Sequence, residues 1–178
     1  MTLDRQPTLA SELLLVRPLR RDDVEALWAI SSDALLWAQH PAKERAERAG
    51  FEQWFEDAID SGGALVVLSR DEGEVIGTSR YGRLDAVRSE VEIGWTFITR
   101  RLWGGRVNGE LKRLMLEHAF RSVGAVVFRI HAENVRSRRA VEKLGATLVA
   151  TEIDGLGRGE NVVYRLSAPR WDPPTRPA

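Results

Sequence analysis

The stretch R-R-L-W-G-G-R-V-N-G-E, residues 100–110, joins a predicted strand to a predicted amphipathic helix. The first turn of a helix leaves backbone N–H groups unpaired and carries partial positive charge. Glycines let a backbone approach a bulky anion closely, and Arg100, Arg101 and Arg106 add formal charge. The stretch therefore predicts either an anion site at the start of a helix or a glycine-rich turn that binds nothing.

Two nucleotide-binding motifs resemble this stretch only in part. Gly104 and Gly109 have the spacing of a P-loop, but Glu110-Leu111 stands where that motif needs Lys followed by Ser or Thr. The dinucleotide motif G-x-G-x-x-G is absent. The residues therefore argue against a nucleoside triphosphatase.

Strand and helix patterns alternate on both sides of this stretch. The run Glu90–Ile98 predicts a strand, whose two faces are Val91, Ile93, Trp95 and Phe97 on one side and Glu90, Glu92 and Thr96 on the other. Residues 107–123 predict a helix with Leu111, Leu114, Met115 and Ala119 turned inward. The whole chain is predicted to run β-α-α-β-β-β-α-β-α-β-β, which indicates a mixed sheet with helices packed on it.

The composition limits the class of protein. The chain has 178 residues and equal numbers, 26 each, of basic and acidic side chains, which argues against a nucleic-acid partner. It has no cysteine, which excludes disulfides and thiolate chemistry and is typical of a cytoplasmic protein. No apolar run is long enough for a membrane span, and the first residues do not form a signal peptide, so no membrane partner is expected.

One domain is expected between two irregular ends. Residues 1–10 are polar and unpatterned and are expected to be flexible. Residues 11–167 are expected to form the single domain. Residues 168–178 contain four of the seven prolines of the chain and are expected to form a proline-rich tail.

Four motifs in this order resemble the GNAT family of N-acetyltransferases. They are Glu92-Ile93-Gly94-Trp95, the turn Trp103–Glu110, the helix segment Leu114–Phe120, and Asn134-x-x-Ser137 followed by Val141–Ala146. The resemblance extends from about Leu13 to Leu166 and is greatest to the branch of ribosomal-protein-alanine N-acetyltransferases. It implies an α+β fold, with a central, mostly antiparallel sheet splayed in the middle and about four helices packed on it.

The resemblance implies an acetyl-CoA-dependent N-acetyltransferase that needs no metal. The acetyl group would move to a primary amine, on a protein N-terminus or a small molecule, by direct attack through a tetrahedral intermediate. The residues implied to bind the cofactor are Phe97, Ile98, Arg101, Trp103, Gly104, Gly105, Arg106, Val107, Asn108, Gly109, Asn134 and Arg136. None of the three histidines, His40, His118 and His131, has the spacing of metal ligands.

Arg106 departs from the pattern of the family. The family loop reads Q/R-x-x-G-x-G/A, and Arg106 stands at its last, small position. Its guanidinium would either point outward and pair with a phosphate or obstruct the site. The second possibility leads to the alternative of a non-catalytic acyl-CoA-binding protein with the same fold.

Two residues are predicted to be catalytic. Glu92 is the candidate general base, against a structural role as an ion-pair partner, and Glu90 is the second candidate. Ser137 matches the family residue that protonates the leaving sulfur, but both Ser137 and Asn134 are also good helix caps. Tyr164 is a further phenol, which its strand pattern places in the core.

The acceptor site is the least defined part of the prediction. Trp37, in the loop between the first two helices, and Tyr81, from the sheet, are predicted to contact the acceptor amine. Packing in the core is the alternative for such aromatic side chains. The family is often dimeric, so a homodimer is a candidate assembly.

Overall fold

The computed structural model of the protein describes residues 2–154 and 159–168. The strands of these residues are β1 (Leu9–Ala10), β2 (Leu14–Pro18), β3 (Ala64–Ser69), β4 (Val75–Asp85), β5 (Glu90–Ile98), β6 (Ala125–His131), β7 (Thr147–Ile153) and β8 (Glu160–Ser167). The α-helices are α1 (Val24–Ser31), α2 (Arg48–Asp60), α3 (Val107–Ala119) and α4 (Val135–Glu142). The proline-rich tail that the sequence predicts at residues 168–178 lies outside the described residues, apart from Ala168.

The strands form one open sheet in the order β1-β2-β3-β4-β5-β6-β8-β7. Every neighbouring pair is antiparallel except β5 and β6, which run parallel because α3 connects them. The predicted α+β class, the mostly antiparallel sheet and the four helices are confirmed. No helix of the described residues is long and apolar enough to cross a membrane.

The N-terminal segment differs from its prediction. Residues 1–10 were expected to be flexible, yet Leu3 is buried and Leu9–Ala10 pairs with β2 through the contacts Leu9–Val16 and Ala10–Leu15. A strand of two residues is too short to show an alternating pattern, so the sequence gives no signal for it.

Helices cover both sides of the sheet and bury a separate core on each. On one side, which we call the α3 face, α3 and α4 pack with Leu111, Met115 and Val141 against the sheet. On the other side, the α2 face, α1 and α2 pack with Leu27 and Phe51. The predicted inward residues of the helix that starts at residue 107 are buried, because their spacing of three and four places them on one stripe of α3.

Strand β5 breaks its regular alternation at Trp95. Trp95 has a φ of 51°, and the pairing of β5 with β4 is irregular at this point. Val91 and Ile93 lie in the core on the α3 face, but Phe97 lies in the core on the α2 face. The predicted single face of Val91, Ile93, Trp95 and Phe97 is therefore wrong after Ile93, because a bulge inserts one extra residue and reverses the faces.

Strands β5 and β6 are paired at one end only. The three residue pairs are Glu90–Ala125, Val91–Val126 and Glu92–Val127, and none follows in the described residues. Next to this paired end, the Ser89 carbonyl accepts the N–H groups of Gly124 and Ala125 at 2.8 and 3.1 Å. Beyond Glu92 the two strands diverge, so the sheet is split between β5 and β6, as the resemblance implied.

Candidate active site

Glu92 lies where the split begins, as the last residue of β5 that pairs with β6. It is 7% exposed, and its carboxylate accepts a hydrogen bond from the Arg129 guanidinium at 2.9 Å. Burial raises the pKa of Glu92 above its ordinary value, against the opposing charges of Arg129 and Arg83. A carboxylate with a raised pKa at the start of a cleft can accept a proton, and Glu92 also has the ion pair that the alternative interpretation required.

Glu90, the second candidate base, is engaged elsewhere. Its carboxylate accepts a hydrogen bond from Arg165 at 2.6 Å. Tyr164 is 2% exposed, and its hydroxyl donates to Glu142, which agrees with its predicted place in the core. Neither residue has the position of Glu92 at the start of the split.

The turn before α3 is open to solvent. Gly104 has a φ of 74°, and a Cβ added there or at Gly109 would meet nothing within 4 Å. The backbone of Glu110 is the first to donate within the helix, to the carbonyl of Arg106, so the preceding N–H groups of Val107, Asn108 and Gly109 have no helical acceptor. This arrangement fits an anion, because no side chain in the described part of the chain lies within 4 Å of a Cβ built at Gly104 or Gly109.

The three arginines of the turn have different surroundings. Arg100 pairs with Asp33, and Arg101 pairs with Glu74. Arg106 is exposed and precedes the first residue of α3 in helical backbone conformation. The Arg101 side chain is therefore engaged with the β3–β4 connection, whereas Arg106 has no ion-pair partner among residues 2–154 and 159–168.

Trp103 and Arg136, which α3 and β6 separate in the sequence, meet in the structure. The Arg136 guanidinium lies 3.5 Å from the centre of the Trp103 ring. The Trp103 indole N–H donates to the Ile98 carbonyl at 2.9 Å, which fixes the ring beside the end of β5. This contact joins the turn before α3 to the first turn of α4, and burial lowers the pKa of Arg136.

Asn134 and Ser137 were both candidates for the cap of α4, and the structure places only the Asn134 side chain in that position. Asn134 is the N-cap of α4, and its side-chain oxygen accepts the N–H of Ser137 at 3.2 Å. Asn134 is 6% exposed, so its side chain has a structural role. Ser137 lies within the first turn, where its backbone, not its hydroxyl, takes part in the cap. The Ser137 hydroxyl is therefore available for a ligand.

Phe97 and Ile98 are buried side chains at the unpaired end of β5. They are 6% and 5% exposed, and they pair with Thr78 and Gly77 of β4. Any contact with a cofactor in the split would therefore involve their backbone, which is the interaction that the resemblance implies.

The predicted acceptor contacts of Tyr81 and Trp37 are wrong. Tyr81 is 0% exposed, and its hydroxyl donates to the Met115 carbonyl of α3 at 2.6 Å. Trp37 is 3% exposed, packs edge-on against Phe97, and donates its indole N–H to the Ser31 carbonyl. Both side chains belong to the core because their single polar atom has a backbone partner inside the protein.

The histidines show no metal site. His118 contacts the Asp4 carbonyl at 2.7 Å, and His131 ends β6 with its ring against Gly159. Within the described part of the chain, no group of three or more metal-ligating side chains comes together.

Three basic residues around the split were missed by the sequence analysis. Arg129 holds Glu92 and donates to Glu152 at 2.8 Å. Arg80 and Lys112 are buried beside the bulge, on opposite faces of the sheet. For Lys112 a signal exists, because it lies three residues before Met115 and four before Leu116, on the apolar stripe of α3.

The comparison with protein families gives the class of this protein. The acetyltransferase (GNAT) domain matches residues 13–147, so the chain belongs to the GNAT acetyltransferase family. A search of curated protein sequences finds no match.

Solved structures share the fold at low sequence identity. A GCN5-related N-acetyltransferase from Brucella melitensis is 21% identical with a TM-score of 0.82, over 93% of this chain and 80% of that chain. A GNAT-family structure from Chromobacterium violaceum is 20% identical with a TM-score of 0.83, over 94% and 89%. RimJ from Mycobacterium smegmatis, in complex with CoA-disulfide, is 17% identical with a TM-score of 0.68, over 88% and 82%.

Proposed function

We propose that this protein transfers the acetyl group of acetyl-CoA to a primary amine. The observation that carries the proposal is the divergence of β5 and β6 after Glu92. It leaves one edge of residues 94–98 without a neighbouring strand among the described residues. An extended chain with amide groups, such as pantetheine, can pair with such an edge.

The open turn at Gly104 supports acetyl-CoA as the donor. Its left-handed glycine and the unpaired N–H groups of the first turn of α3 suit a pyrophosphate. The stacked pair of Trp103 and Arg136 supplies a further positive charge beside this turn. Arg106 is exposed, so it is positioned to add charge without filling the turn. When bound, acetyl-CoA supplies the thioester that makes acetyl transfer favourable.

Glu92 is proposed as the base that removes a proton from the amine. Near pH 7 most primary amines are protonated and cannot attack a carbonyl carbon. Transfer of that proton to Glu92, directly or through water, frees the nitrogen lone pair. Burial raises the pKa of Glu92 and so increases its proton affinity, while Arg129 orients the carboxylate.

Ser137 is proposed to protonate the leaving group. The nitrogen forms a bond to the carbonyl carbon and loses its second proton to solvent, the carbon–sulfur bond breaks, and the sulfur leaves with the electron pair of that bond. A hydroxyl close to the sulfur can donate a proton to it and recover one from solvent. The half-buried Ser137 hydroxyl, whose capping role has been taken by Asn134, is the candidate donor.

The acceptor is proposed to be the α-amine of a protein N-terminus or a small-molecule amine. The likeness to a putative ribosomal-protein-serine acetyltransferase from Vibrio cholerae supports the first class, and the motifs of the ribosomal-protein branch in this sequence support it independently. A panel of peptides and small amines, assayed by release of the CoA thiol, tests both classes.

Calorimetry with acetyl-CoA tests the donor site. We expect Gly104→Val to weaken binding at least tenfold, because its side chain enters the open turn and is strained at positive φ. Gly73→Val is the matched control, since Gly73 has a φ of 66° and equally open surroundings in the β3–β4 connection. Equal affinities for the two variants would contradict the proposed turn.

The same measurement separates the enzyme from the binding-protein alternative. Acetyl-CoA binding with thiol release on at least one amine supports the enzyme. Binding without release on any amine supports the non-catalytic alternative. Binding by Arg106→Gly but not by the wild type would show that Arg106 obstructs the site and would also reject the enzyme.

A further inference from the structure

Two arginines of the described residues are buried to the same degree, and only one of them has carboxylate partners. Arg113 is 6% exposed and forms hydrogen bonds with Glu110 and Glu117 at 2.5–2.9 Å. Arg80 is 7% exposed, yet its Nε and Nη2 atoms are buried without a hydrogen-bond partner in the described residues. Native proteins seldom leave buried polar groups unsatisfied, so this exception calls for a functional explanation.

Arg80 lies on the α2 face of the sheet, opposite the donor site. The next residue of β4, Tyr81, contacts α3, and successive side chains of a strand point to opposite faces. The negative charge of Asp57, in α2, acts on Arg80, which agrees with this orientation. The turn at Gly104 begins α3 on the other face, so an anion held by Arg80 is not the pyrophosphate of the cofactor.

The carboxylates around Arg80 already have partners. Asp57 accepts a hydrogen bond from Gln53 at 3.0 Å, and Glu92 accepts one from Arg129 at 2.9 Å. Burial lowers the pKa of Arg80 to about 10, and at neutral pH the guanidinium therefore remains charged. The charges of Asp57 and Glu92 thus act on Arg80 from a distance, but no carboxylate of the described residues forms a hydrogen bond with its Nε and Nη2 atoms.

The geometry of Arg80 defines the missing partner. Its guanidinium lies 4.8 Å from the centre of the Trp95 ring, which covers one face of the group. The unpartnered Nε and Nη2 atoms share one edge of the guanidinium and present two nearly parallel N–H donors. Two parallel donors match the two oxygens of a carboxylate.

A second unpartnered donor lies on the same face. Trp54 of α2 is 5% exposed, and its indole Nε1 atom is buried without a partner in the described residues. Trp54 packs on Phe97 of β5 at 5.2 Å between ring centres and precedes Asp57 by one helical turn. Trp54 therefore provides a second buried N–H donor on the α2 face that has no partner in the described residues.

We infer that Arg80 binds a carboxylate of the acceptor, so that the preferred substrates are amines that also carry a carboxylate. Arg80 pairs in register with Gly94, two residues from Glu92, so the bound carboxylate lies beside the candidate base. Trp95 is 36% exposed, and rotation of its side chain gives the acceptor access to Arg80. This inference rests on the proposed function, because it names the class of amine that the same site accepts.

Matched pairs of acceptors test the inference. β-Alanine and γ-aminobutyrate are compared with their amides. Peptides that begin with Asp or Glu are compared with peptides that begin with Asn or Gln. The two types of pair distinguish a free amino acid from an acidic peptide as the preferred acceptor. We expect kcat/KM for thiol release to be at least tenfold higher for the carboxylate member of at least one type of pair. Equal rates within every pair would overturn the inference.

Variants assign the preference to Arg80. Arg80→Met should remove the difference within each pair, and Arg80→Lys should retain part of it, because it preserves the charge but not the two parallel donors. Arg88→Met is the control, an exposed arginine in the β4–β5 connection. A preference for carboxylates that survives in Arg80→Met would contradict the role of Arg80.

A binding experiment separates this inference from the proposed function. The ¹⁵N Nε signal of Arg80 and the indole signal of Trp54 are followed by NMR while γ-aminobutyrate, or its amide, is added without acetyl-CoA. A shift with the carboxylate only supports the site even if no amine is acetylated, in which case the proposed function alone fails. Thiol release without a preference and without a shift would reject the inference and leave the proposed function in place.

Discussion

Lys112 and Arg80 are two buried cations on opposite faces of the sheet at the β5 bulge, and they differ in what surrounds them. They are 6% and 7% exposed, and neither has a carboxylate within ion-pair distance in the described residues. The Lys112 ammonium donates to the Thr96 hydroxyl at 2.7 Å, which in turn contacts the Ser79 hydroxyl at 2.8 Å. Arg80 has no such hydroxyl beside Nε and Nη2.

The difference follows from the chemistry of the two side chains. Burial lowers the pKa of Lys112 to about 7, so this amine can lose its proton and remain in a network of neutral hydroxyls. Arginine cannot lose its proton at neutral pH and needs an anion when it is buried. On the α3 face the buried cation therefore has a hydroxyl partner, whereas on the α2 face the Nε and Nη2 atoms of Arg80 have no partner among residues 2–154 and 159–168.

The largest effect is expected for Glu92→Gln, on the α2 face. We expect kcat near pH 7 to fall roughly 100-fold, since the variant loses the proposed base but retains the shape of the side chain. The loss should decrease as the pH rises through the pKa of the acceptor amine, because the free amine then needs no base. Rates of thiol release from pH 6 to 10 measure both effects.

Glu90→Gln is the matched control for this prediction. Glu90 lies on the same strand but pairs with Arg165, and its loss should change kcat less than threefold. A profile of kcat against pH that is the same in Glu92→Gln and the wild type would exclude Glu92 as the base.

On the α3 face, Lys112→Met should change the pH dependence of stability. Protonation of Lys112 is less favourable in the folded state than in the unfolded chain, whose lysine pKa is near 10.5. The free energy of unfolding of the wild type should therefore rise with pH between about 7 and 10.5, by up to about 1.4 kcal/mol per pH unit from this residue. Lys112→Met should lack this rise and be more stable than the wild type, most clearly near pH 7.

Urea unfolding at several pH values measures this slope. The exposed Lys143 provides the control Lys143→Met, for which the slope of the wild type should persist. If Lys112→Met retains the full slope, Lys112 does not titrate near neutrality and the contrast with Arg80 fails.

A smaller effect on catalysis is expected for Ser137→Ala. We expect kcat to fall about tenfold, while the Kd of acetyl-CoA changes less than twofold, because only the proton donor is removed. Asn134→Ala is the contrasting variant, since loss of the α4 cap should lower stability by about 1 kcal/mol. If Ser137→Ala weakens acetyl-CoA binding instead, Ser137 contributes to binding and not to protonation.

The smallest effect is expected at the stacked pair near the cofactor turn. A cation–π contact contributes about 0.5–1 kcal/mol when it is partly exposed. Arg136→Gln should therefore raise the Kd of acetyl-CoA two- to fivefold. Trp103→Leu should give a similar change, and the double variant should bind acetyl-CoA no more weakly than either single variant. Fully additive effects would show that the two residues act separately.

Much of the fold could be predicted from the sequence. Hydrophobic residues recur every second position in strands and every three to four positions in helices. This pattern correctly predicted the four helices and every strand except β1, because each of these elements buries one regular face. The end of the pairing between β5 and β6 was implied by the family motifs, not by the pattern of hydrophobic residues. The Gly104 turn was predicted because glycines and positively charged residues at the start of a helix favour the binding of an anion.

The bulge was not predictable, and the buried Arg80 beside it was missed as well. Alternation assumes a regular strand, and Trp95 is not a residue that signals a positive φ. Aromatic residues such as Tyr81 suit a pocket and a core equally well, so composition could not exclude the core. Arg80 was missed because a charged residue in a strand is normally turned toward solvent.

The pairing of β5 with β6 through three residue pairs, closed by Ser89, has a mechanical consequence. Backbone pairing between β5 and β6 is confined to this end within residues 2–154 and 159–168. The core on the α3 face spans the junction, because Val91 of β5 and Val126 of β6 belong to one cluster of buried residues. The ion pairs Arg129–Glu92 and Arg165–Glu90 also cross it. The two halves of the sheet are therefore held together mainly by side chains and not by a continuous ladder of backbone hydrogen bonds.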